Sequence, residues 1–526
     1  MSTPISEHDA TGAPAKAKSR VIRNVITNWG AYVISMGVNF LLSPFLVRHL
    51  GNEGYGVWTL ILSLTGYLGL LDLGVRGAVT RYVAKFHTEA DHEKASHAAS
   101  SAMVIFSTAG LIAILVSVLL AVFVVGRMQI PGNYMTAARI VMLITGLSLA
   151  TSLVNGVYGG VLVGMQRFDL TNSVEIVINI LRAGVIVAAL YSGSGLVTLA
   201  IIQLACTIAR WLANVALTRR LYPELRIHFS QADWAGVKLI FSFSLFSFLL
   251  HVSGSLIYAS DAVVIGFYLP VTAVTFYVIG GNLVEYTRTV VGGISGTMTP
   301  LASSTEALKN HERLQEIVLF SSRAGSMVVL PIALTFILRG SAFIGLWMGS
   351  RYADLSGSVL RILSFTLIFW AANSVTAGSL LGLSKHKPIV PMLLSEGICN
   401  LALSILWVRG SLGILGVAWG TLVPSLVSSL IFWPWYIRRS IGIEPVKYAI
   451  SAWVRPGIGV LPYALATQTI EHYWPATNLI VFFLQVALVL PLALVGYWLV
   501  CLDRPQRQEY SQVFVRSMDR VFARVS

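Results

Sequence analysis

The sequence predicts an all-α integral membrane protein with fourteen transmembrane helices, arranged as two pseudo-symmetric six-helix lobes plus a C-terminal helix pair. Three observations carry this prediction: few charges, fourteen long apolar segments and an internal repeat. Of 526 residues, 56% are hydrophobic and only 11% are charged, whereas a soluble domain carries about 25% charged residues. Fourteen spans of roughly 20 apolar residues each account for most of the hydrophobic residues. Little is left for soluble domains.

The apolar segments recur along the whole chain, and each is long enough to cross a bilayer. None shows the alternation of a strand, so we interpret them as helices. Spans 1 to 14 lie at about 24–47, 55–81, 98–125, 136–163, 171–191, 195–218, 237–267, 271–299, 317–345, 356–382, 388–407, 412–437, 447–468 and 477–501.

The spans group into regions of different character. Residues 1–23 are polar and carry four basic residues ahead of span 1; because no cleavage site closes a short apolar core, we expect a disordered cytoplasmic tail rather than a signal peptide. The N-lobe is then 24–235, the C-lobe 236–440 and the extra helix pair 441–502. Residues 503–526 place apolar side chains along one helix side among arginines, which predicts an interfacial amphipathic tail.

Basic residues are distributed unevenly between the two sets of loops. With the N-terminus inside, 25 of the 37 Lys and Arg residues flank the cytoplasmic ends of spans and six flank the outer ends. This bias predicts a multi-pass protein of the bacterial inner membrane with both termini cytoplasmic. It also explains the net charge of +14 without a nucleic-acid partner.

The chain also repeats itself. A shift of 219 residues places Leu50 on Leu269, and near the middle a shift of 218 places Gly164 on Gly382. Six helices therefore recur as six more in the same orientation. That pattern predicts parallel six-helix lobes related by an axis along the membrane normal, with a transport path between them. Spans 13 and 14 lie outside the repeat.

Charged and polar residues inside spans are the functional candidates, because a charge in a bilayer is costly. Arginine suits a phosphate ligand, since its planar donors match phosphate oxygens in pairs. Tyr32 and Asn39 share one polar face of span 1, and the repeat places His251 on Tyr32. The candidate substrate-binding residues of a central cavity are Arg76, Arg182, Arg288, Asn39, Tyr32 and His251.

In-span carboxylates are candidates for carrying a coupling ion. Those on helices expected to line the cleft are Glu285, Asp72 and Asp261, of which Glu285 lies nearest the middle of its span. The alternative is structural, because an acid and an arginine on one helix neutralise each other. That alternative applies to the pairs Asp72 with Arg76, Glu175 with Arg182, and Glu285 with Arg288. The sequence leaves both interpretations open.

Catalytic and cofactor motifs are missing from the sequence. It contains no G-x-x-x-x-G-K-[ST], H-E-x-x-H or G-x-S-x-G pattern, so we expect neither ATP hydrolysis nor enzyme activity. Cys206, Cys399 and Cys501 are far apart, which indicates neither a disulfide framework nor a zinc site. No cofactor or metal is therefore expected.

Several motifs at the start of the chain resemble a known family. They are Leu50-Gly51, Gly54-Tyr55-Gly56, Leu71-Asp72-Leu73-Gly74 and Arg81-Tyr82. The chain resembles the polysaccharide-transporter branch of the multidrug/oligosaccharidyl-lipid/polysaccharide flippase superfamily over about 24–440, and spans 13 and 14 fit its fourteen-helix members.

The resemblance implies a flippase that moves an undecaprenyl-pyrophosphate-linked oligosaccharide from the inner to the outer leaflet, with cationic groups in its cavity. Its partners would be this lipid-linked substrate, membrane lipids, and the polymerase and glycosyltransferases of lipopolysaccharide or exopolysaccharide assembly. Two alternatives stay open. The in-span acids favour an ion-coupled drug/cation antiporter of the same superfamily. A membrane glycosyltransferase or polymerase is a third class, against which the short outer loops argue.

Overall fold

The protein is built from helices, as a computed structural model describes it. The structure describes residues 12–307, 310–385, 387–508 and 511–512, and within them it contains no β-strand. The α-helices of this part are α1 (Gly12–Leu68), α2 (Val75–Thr88), α3 (His92–Leu119), α4 (Gly132–Gly164), α5 (Phe168–Tyr191), α6 (Leu196–Leu221), α7 (Trp234–Tyr258), α8 (Ser260–Tyr268), α9 (Val271–Ala307), α10 (His311–Met348), α11 (Ser350–Gly382), α12 (Ile389–Val408), α13 (Ile414–Val427), α14 (Trp433–Ile441), α15 (Pro445–Ala449), α16 (Arg455–Tyr473) and α17 (Leu479–Val500). Each predicted span falls on one or two of these helices, so the all-α fold class is confirmed. Most of the predicted amphipathic tail lies outside the described residues.

The helices are long and apolar enough for a multi-pass membrane protein. Among the described residues, ten helical stretches meet that requirement by length and hydropathy, or eleven if one bent pair counts as a single span. The longest, Trp29–Thr88, runs for 60 residues, whereas one crossing needs roughly 20. It therefore holds spans 1 and 2, which meet at Gly51, where φ is 70°.

Span 2 contains a helix break that the sequence did not predict. Leu73 and Gly74 adopt left-handed φ values of 51° and 75°, so a 3₁₀ turn ending at Asp72 stops there and α2 starts anew. Glycine adopts such φ values without steric cost, which favours the break at this position. Asp72 and Arg76 therefore lie on opposite sides of this break and not within one unbroken helix.

The described chain divides into two compact units, the first ending at Thr275 and the second starting at Phe276. The helices of span 7, α7 and α8, belong to the first unit because they pack on its other helices. A Cβ at Gly266 of α8 would meet the side chain of Leu60, and the Thr275 hydroxyl donates to the Asn52 carbonyl at 2.7 Å. The packing boundary thus lies later in the chain than residue 235, and the lobe boundary drawn from the repeat stays a prediction.

The repeat is visible in the local geometry of each unit. Gly164 lies so close to α2 that a Cβ there would come 2.9 Å from a backbone carbonyl oxygen, and Gly382 makes the same kind of contact with α9. Two residues after each glycine, Gln166 and Ser384 adopt nearly identical left-handed φ values of 58° and 56°. Small residues permit this close approach of helices. Gly164 and Gly382, which the shift of 218 relates, therefore make the same helix contact in the two units.

The C-terminal helix pair is bound to the second unit by a buried arginine. Gly459 of α16 and Gly496 of α17 let the two backbones touch. Arg339 of α10 is 2% exposed; its Nε and Nη2 donate to Glu471 Oε2 and Gln485 Oε1, each at 2.6 Å. A buried charge is stable only when it is paired and hydrogen-bonded, so this contact fixes α16 and α17 against α10.

Candidate functional site

A cluster of polar side chains joins three helices of the first unit, and we call it the α1–α5–α6 polar network. Its members are Ser35, Asn39, Glu175, Asn179, Arg182, Gln203 and Arg210. A polar face of α1 and a polar face of α5 meet here. Asn179 Nδ2 donates to Ser35 Oγ and to Glu175 Oε1, both at 3.0 Å.

Arg182 is the uncompensated charge of this network. Its Nη1 donates to Gln203 Oε1 at 2.9 Å and its Nη2 to Asn39 Oδ1 at 3.3 Å. Both acceptors are neutral amide oxygens, and among the described residues no carboxylate lies within 4.0 Å of the guanidinium. Its Nε is buried and has no hydrogen-bond partner in that same part of the chain. A guanidinium placed this way favours an anionic ligand.

Arg210 on α6 forms an ion pair with Glu175, the carboxylate that the sequence paired with Arg182. Arg210 Nη1 lies 2.8 Å from Glu175 Oε2, across the contact of α5 and α6. Glu175 therefore forms its ion pair with Arg210 on the adjacent helix and not with Arg182 along α5. Arg210 Nε is also buried without a partner among the described residues.

The second unit contains the equivalent contact in a neutral form. A shift of 218 relates Arg182 to Asn400 and Gln203 to Thr421, and Asn400 Nδ2 donates to Thr421 Oγ1 at 3.2 Å. Asn400 and Thr421 are only 1% and 3% exposed. The polar bond between these two helices is thus a shared structural feature of the repeat. The positive charge and partial exposure are particular to the first unit.

Arg76 and Asp72 form a separate pair in the first unit. Arg76 Nε lies 3.6 Å from Asp72 Oδ2, so the predicted pairing is confirmed although a helix break separates the two residues. Arg76 also lies near Gly156 of α4. In the part of the chain that the structure describes, no hydrogen bond joins Arg76 to Arg182.

Arg288 and Glu285 form the corresponding pair in the second unit. Arg288 Nη1 lies 3.7 Å from Glu285 Oε2, with the Arg288 side chain 11% and the Glu285 side chain 57% exposed. Arg288 Nη2 also donates to Thr366 Oγ1 at 3.3 Å, and the guanidinium lies 5.8 Å from the Trp370 ring centroid. Arg288 is held in place on several sides, whereas Glu285 is largely open.

The remaining predicted residues lie apart from the polar network or at its edge. Tyr32 is 51% exposed on α1, three residues before Ser35. His251 is exposed on α7. Asp261 is buried in the first turn of α8, where a carboxylate is favoured by the helix dipole; α8 is bent by 42° from the end of α7. Which of these residues bind substrate or a coupling ion stays a prediction.

Sequence reasoning missed two residues of the network, whereas Glu396 was visible as an in-span acid of span 11. Gln203 and Arg210 are seven residues apart on α6, two turns along one face, which is a signal that a helical period would have detected. Glu396 of α12 is 8% exposed and accepts from the Ser428 hydroxyl at 2.6 Å. The shift of 218 relates Arg210 to Ser428. In each unit the side chain at this position bonds to a carboxylate, Arg210 to Glu175 and Ser428 to Glu396.

The class of protein follows from the sequence comparison. The sequence model of a family described as "Polysaccharide biosynthesis protein" matches residues 21–306, which is more than half of the chain. The chain belongs to this family, and its resemblance to the polysaccharide-transporter branch of the flippase superfamily is confirmed.

One relative and two solved structures show what the chain is similar to. A Shigella flexneri protein named "Putative O-antigen transporter" is 22% identical over 424 residues, which cover 80% of this chain and 98% of the relative. The fold is similar to that of the lipid II flippase MurJ in an inward closed conformation, with a TM-score of 0.69, 14% identity and coverage of 94% and 99%. It is also similar to an inward-facing multidrug resistance MATE transporter, with a TM-score of 0.62, 16% identity and coverage of 78% and 94%.

Proposed function

We propose that the protein is a flippase that moves a lipid-linked oligosaccharide from the inner to the outer leaflet by alternating access. The lipid carrier would be an undecaprenyl pyrophosphate, and the glycan would be used for surface polysaccharide. One observation carries the proposal: Arg182 lies within a polar network without a carboxylate partner among the described residues. The family match and the transporter relative support a polysaccharide substrate.

The chemistry of the network suits a glycosylated pyrophosphate. Two guanidiniums, of Arg182 and Arg210, can each present a pair of donors to phosphate oxygens. Amide and hydroxyl groups such as those of Asn39 and Ser35 match sugar hydroxyls, which are both donors and acceptors. Arg182 offers its charge directly, whereas Arg210 must first leave Glu175, which lies 2.8 Å away.

The proposed cycle places the protein between other steps of surface polysaccharide assembly. We place it in the bacterial inner membrane, where cytoplasmic glycosyltransferases would supply the substrate and an outer polymerase would consume it. The sequence has no nucleotide-binding motif, so the work would come from an ion gradient, the membrane potential or removal of the product. On this proposal the protein is not an enzyme and uses no cofactor.

A drug/cation antiporter is the second candidate, favoured by the likeness to a MATE transporter fold. Its cation would need a free acid in the cavity. The structure pairs Asp72 with Arg76, Glu175 with Arg210, and Glu285 with Arg288. Because these three acids each have a guanidinium within 4.0 Å, they are less suited to bind a cation than an unpaired carboxylate would be, which favours the flippase. An antiporter would have to use the buried acids Asp261 or Glu396 instead.

Reconstitution of the purified protein separates the two candidates. In proteoliposomes we expect a fluorescent polyisoprenyl-pyrophosphate oligosaccharide to become accessible to an external glycosidase, at a rate well above that of protein-free vesicles. The same glycan on an uncharged lipid should move more slowly, because the site is cationic. Efflux of a cationic dye without movement of the lipid-linked glycan would instead favour the antiporter.

The membrane topology, on which the proposed direction of transport depends, can be tested by cysteine labelling. Within the first unit, His49 lies 5.4 Å from Tyr191 between ring centroids, and His92 Nδ1 lies 2.9 Å from the Tyr222 hydroxyl. Loops assigned to the same side by the basic-residue bias are therefore adjacent.

In a background with the three native cysteines replaced by serine, single cysteines at Asn52 and Ser194 should react with an impermeant maleimide added outside. Cysteines at Glu89 and Lys309 should not, and external labelling at position 309 would contradict the assigned topology.

A further inference from the structure

A large cavity lies in the second unit, away from the α1–α5–α6 polar network. Its volume is about 1020 Å³, and its walls come from α9, α10, the region from α15 to α16, and the chain just after α17. By the predicted topology this is the cytoplasmic end of these helices. Neither the repeat nor the proposed transport step uses it.

Basic side chains outnumber acidic ones around this cavity. The basic residues are Arg313, Arg323, Lys447 and Arg455, and the acidic residues are Glu316, Glu444 and Asp503. Two of the acids are already engaged, since Glu316 lies 3.1 Å from Arg313 and Asp503 lies 3.2 Å from Arg455. Lys447 is exposed and has no carboxylate within 4.0 Å among the described residues.

The lining of the cavity also includes a buried basic side chain, that of Arg323. Arg323 is only 6% exposed; its guanidinium donates to the Cys501 carbonyl and lies 6.0 Å from the Phe320 ring centroid. Apolar side chains line the same cavity, among them Ile294, Met298 and Ile450. A buried cation beside an apolar wall matches an amphiphile with an anionic head and a hydrocarbon chain.

We propose that this cavity binds an anionic glycerophospholipid, with its phosphate near Arg313, Arg323 and Lys447 and an acyl chain along Ile294 and Met298. Basic pockets between transmembrane helices at the cytoplasmic side are suited to anionic headgroups, because that leaflet carries the anionic lipids. The cavity connects α16 to α9 and α10, so the lipid fills the joint between the extra helix pair and the rest of its unit.

Charge favours a lipid over the chain's own tail as the occupant. Residues 503–526 carry five Lys and Arg residues against three Asp and Glu residues, and their start lines the cavity at Asp503 and Gln506. A basic tail would be repelled by the basic lining. It would instead add to the attraction for an anionic membrane surface.

The test measures lipid retention by the full chain. Protein purified in detergent is analysed by native mass spectrometry after titration with phosphatidylglycerol, phosphatidylcholine or a polyisoprenyl phosphate. We compare the unaltered protein, the double variant Arg313→Gln/Lys447→Gln, and a control with the same change in charge, Lys387→Gln/Arg438→Gln, whose side chains are exposed and outside the cavity. Each basic residue near an anionic headgroup contributes enough that the cavity variant should bind phosphatidylglycerol roughly thirtyfold more weakly.

Selective binding of phosphatidylglycerol that is lost in the cavity variant and kept in the control supports the proposal. Equal binding in the two double variants overturns it, as does selection of the polyisoprenyl phosphate over phosphatidylglycerol. A chain truncated after residue 508 provides the last arm. If truncation creates lipid binding that the intact chain lacks, the tail occupies the cavity and the proposal fails. None of these measurements depends on glycan transport, so the flippase proposal and the lipid proposal can fail separately.

Discussion

Replacing Arg182 with alanine is expected to abolish translocation of the pyrophosphate-linked glycan while the protein still inserts at normal levels. Arg182 has neutral oxygen partners, Gln203 and Asn39, so its removal leaves no buried carboxylate unpaired and should not destabilise the first unit strongly. Hydrogen bonds to a charged group contribute roughly 1.5–3 kcal/mol each. Loss of two such bonds to phosphate corresponds to an affinity about 10²–10⁴-fold lower.

The conservative variant separates charge from geometry. Arg182→Lys keeps the positive charge but loses the planar fork that binds two oxygens at once, so partial translocation is expected. The matched control is Arg361→Ala on α11, an in-span arginine whose Nε donates to the Ile337 carbonyl at 3.1 Å and which belongs to no proposed site. Normal glycan translocation by Arg182→Ala would show that this arginine is structural and that the flippase proposal has lost its main support.

The sequence predicted what depends on hydrophobic pattern and period. Span positions follow from length and hydropathy, and the repeat follows from matched residues such as Gly164 and Gly382, which indeed make equivalent helix contacts. The polar stripes that carry Asn39 on span 1 and Arg182 on span 5 were visible in the sequence, but the helix that each stripe faces was not. Periodicity within a helix identifies a face, and two polar faces inside a membrane tend to meet.

What the sequence could not predict is which charges pair between helices. Glu175 lies about two turns from Arg182 on α5, yet its ion-pair partner is Arg210 on α6. Only the packing of α5 on α6 brings Glu175 and Arg210 to 2.8 Å. Arg339 of α10 likewise pairs with Glu471 of α16, a partner that lies 132 residues along the chain. Helix breaks are similarly hidden, since a left-handed residue such as Leu73 has no composition signal of its own beyond the glycine that follows it.

Three carboxylates remain candidates for coupling transport to a proton gradient, and their surroundings differ. Asp72 and Glu285 are paired with an arginine at 3.6 and 3.7 Å, whereas Asp261 is buried in the first turn of α8. Glu285 is the most open of the three, and its partner Arg288 is also held by Thr366. A phosphate that approaches Arg288 would therefore displace Glu285, which could then take up a proton. This exchange would make protonation depend on substrate and on access, as coupling requires.

Glu285→Gln is accordingly expected to remove the dependence of glycan translocation on an imposed pH gradient while passive flipping persists. Glutamine mimics the protonated acid and cannot exchange a proton. In the unaltered protein, each unit of pH gradient is equivalent to 1.36 kcal/mol per coupled proton, or about a tenfold shift in the distribution of the lipid-linked glycan between leaflets. Reconstituted vesicles with and without the gradient measure this shift.

The matched control for this variant is Asp72→Asn, which neutralises the other arginine-paired acid and should keep the gradient dependence. If Glu285→Gln still responds tenfold to each pH unit, Glu285 is not the coupling site, and Asp72 and Asp261 become the residues to change in the same assay. If neither the unaltered protein nor any variant responds to the gradient, the driving force is the membrane potential or removal of the product outside. In that case the exposed Glu285 serves only to hold Arg288 in position for the substrate.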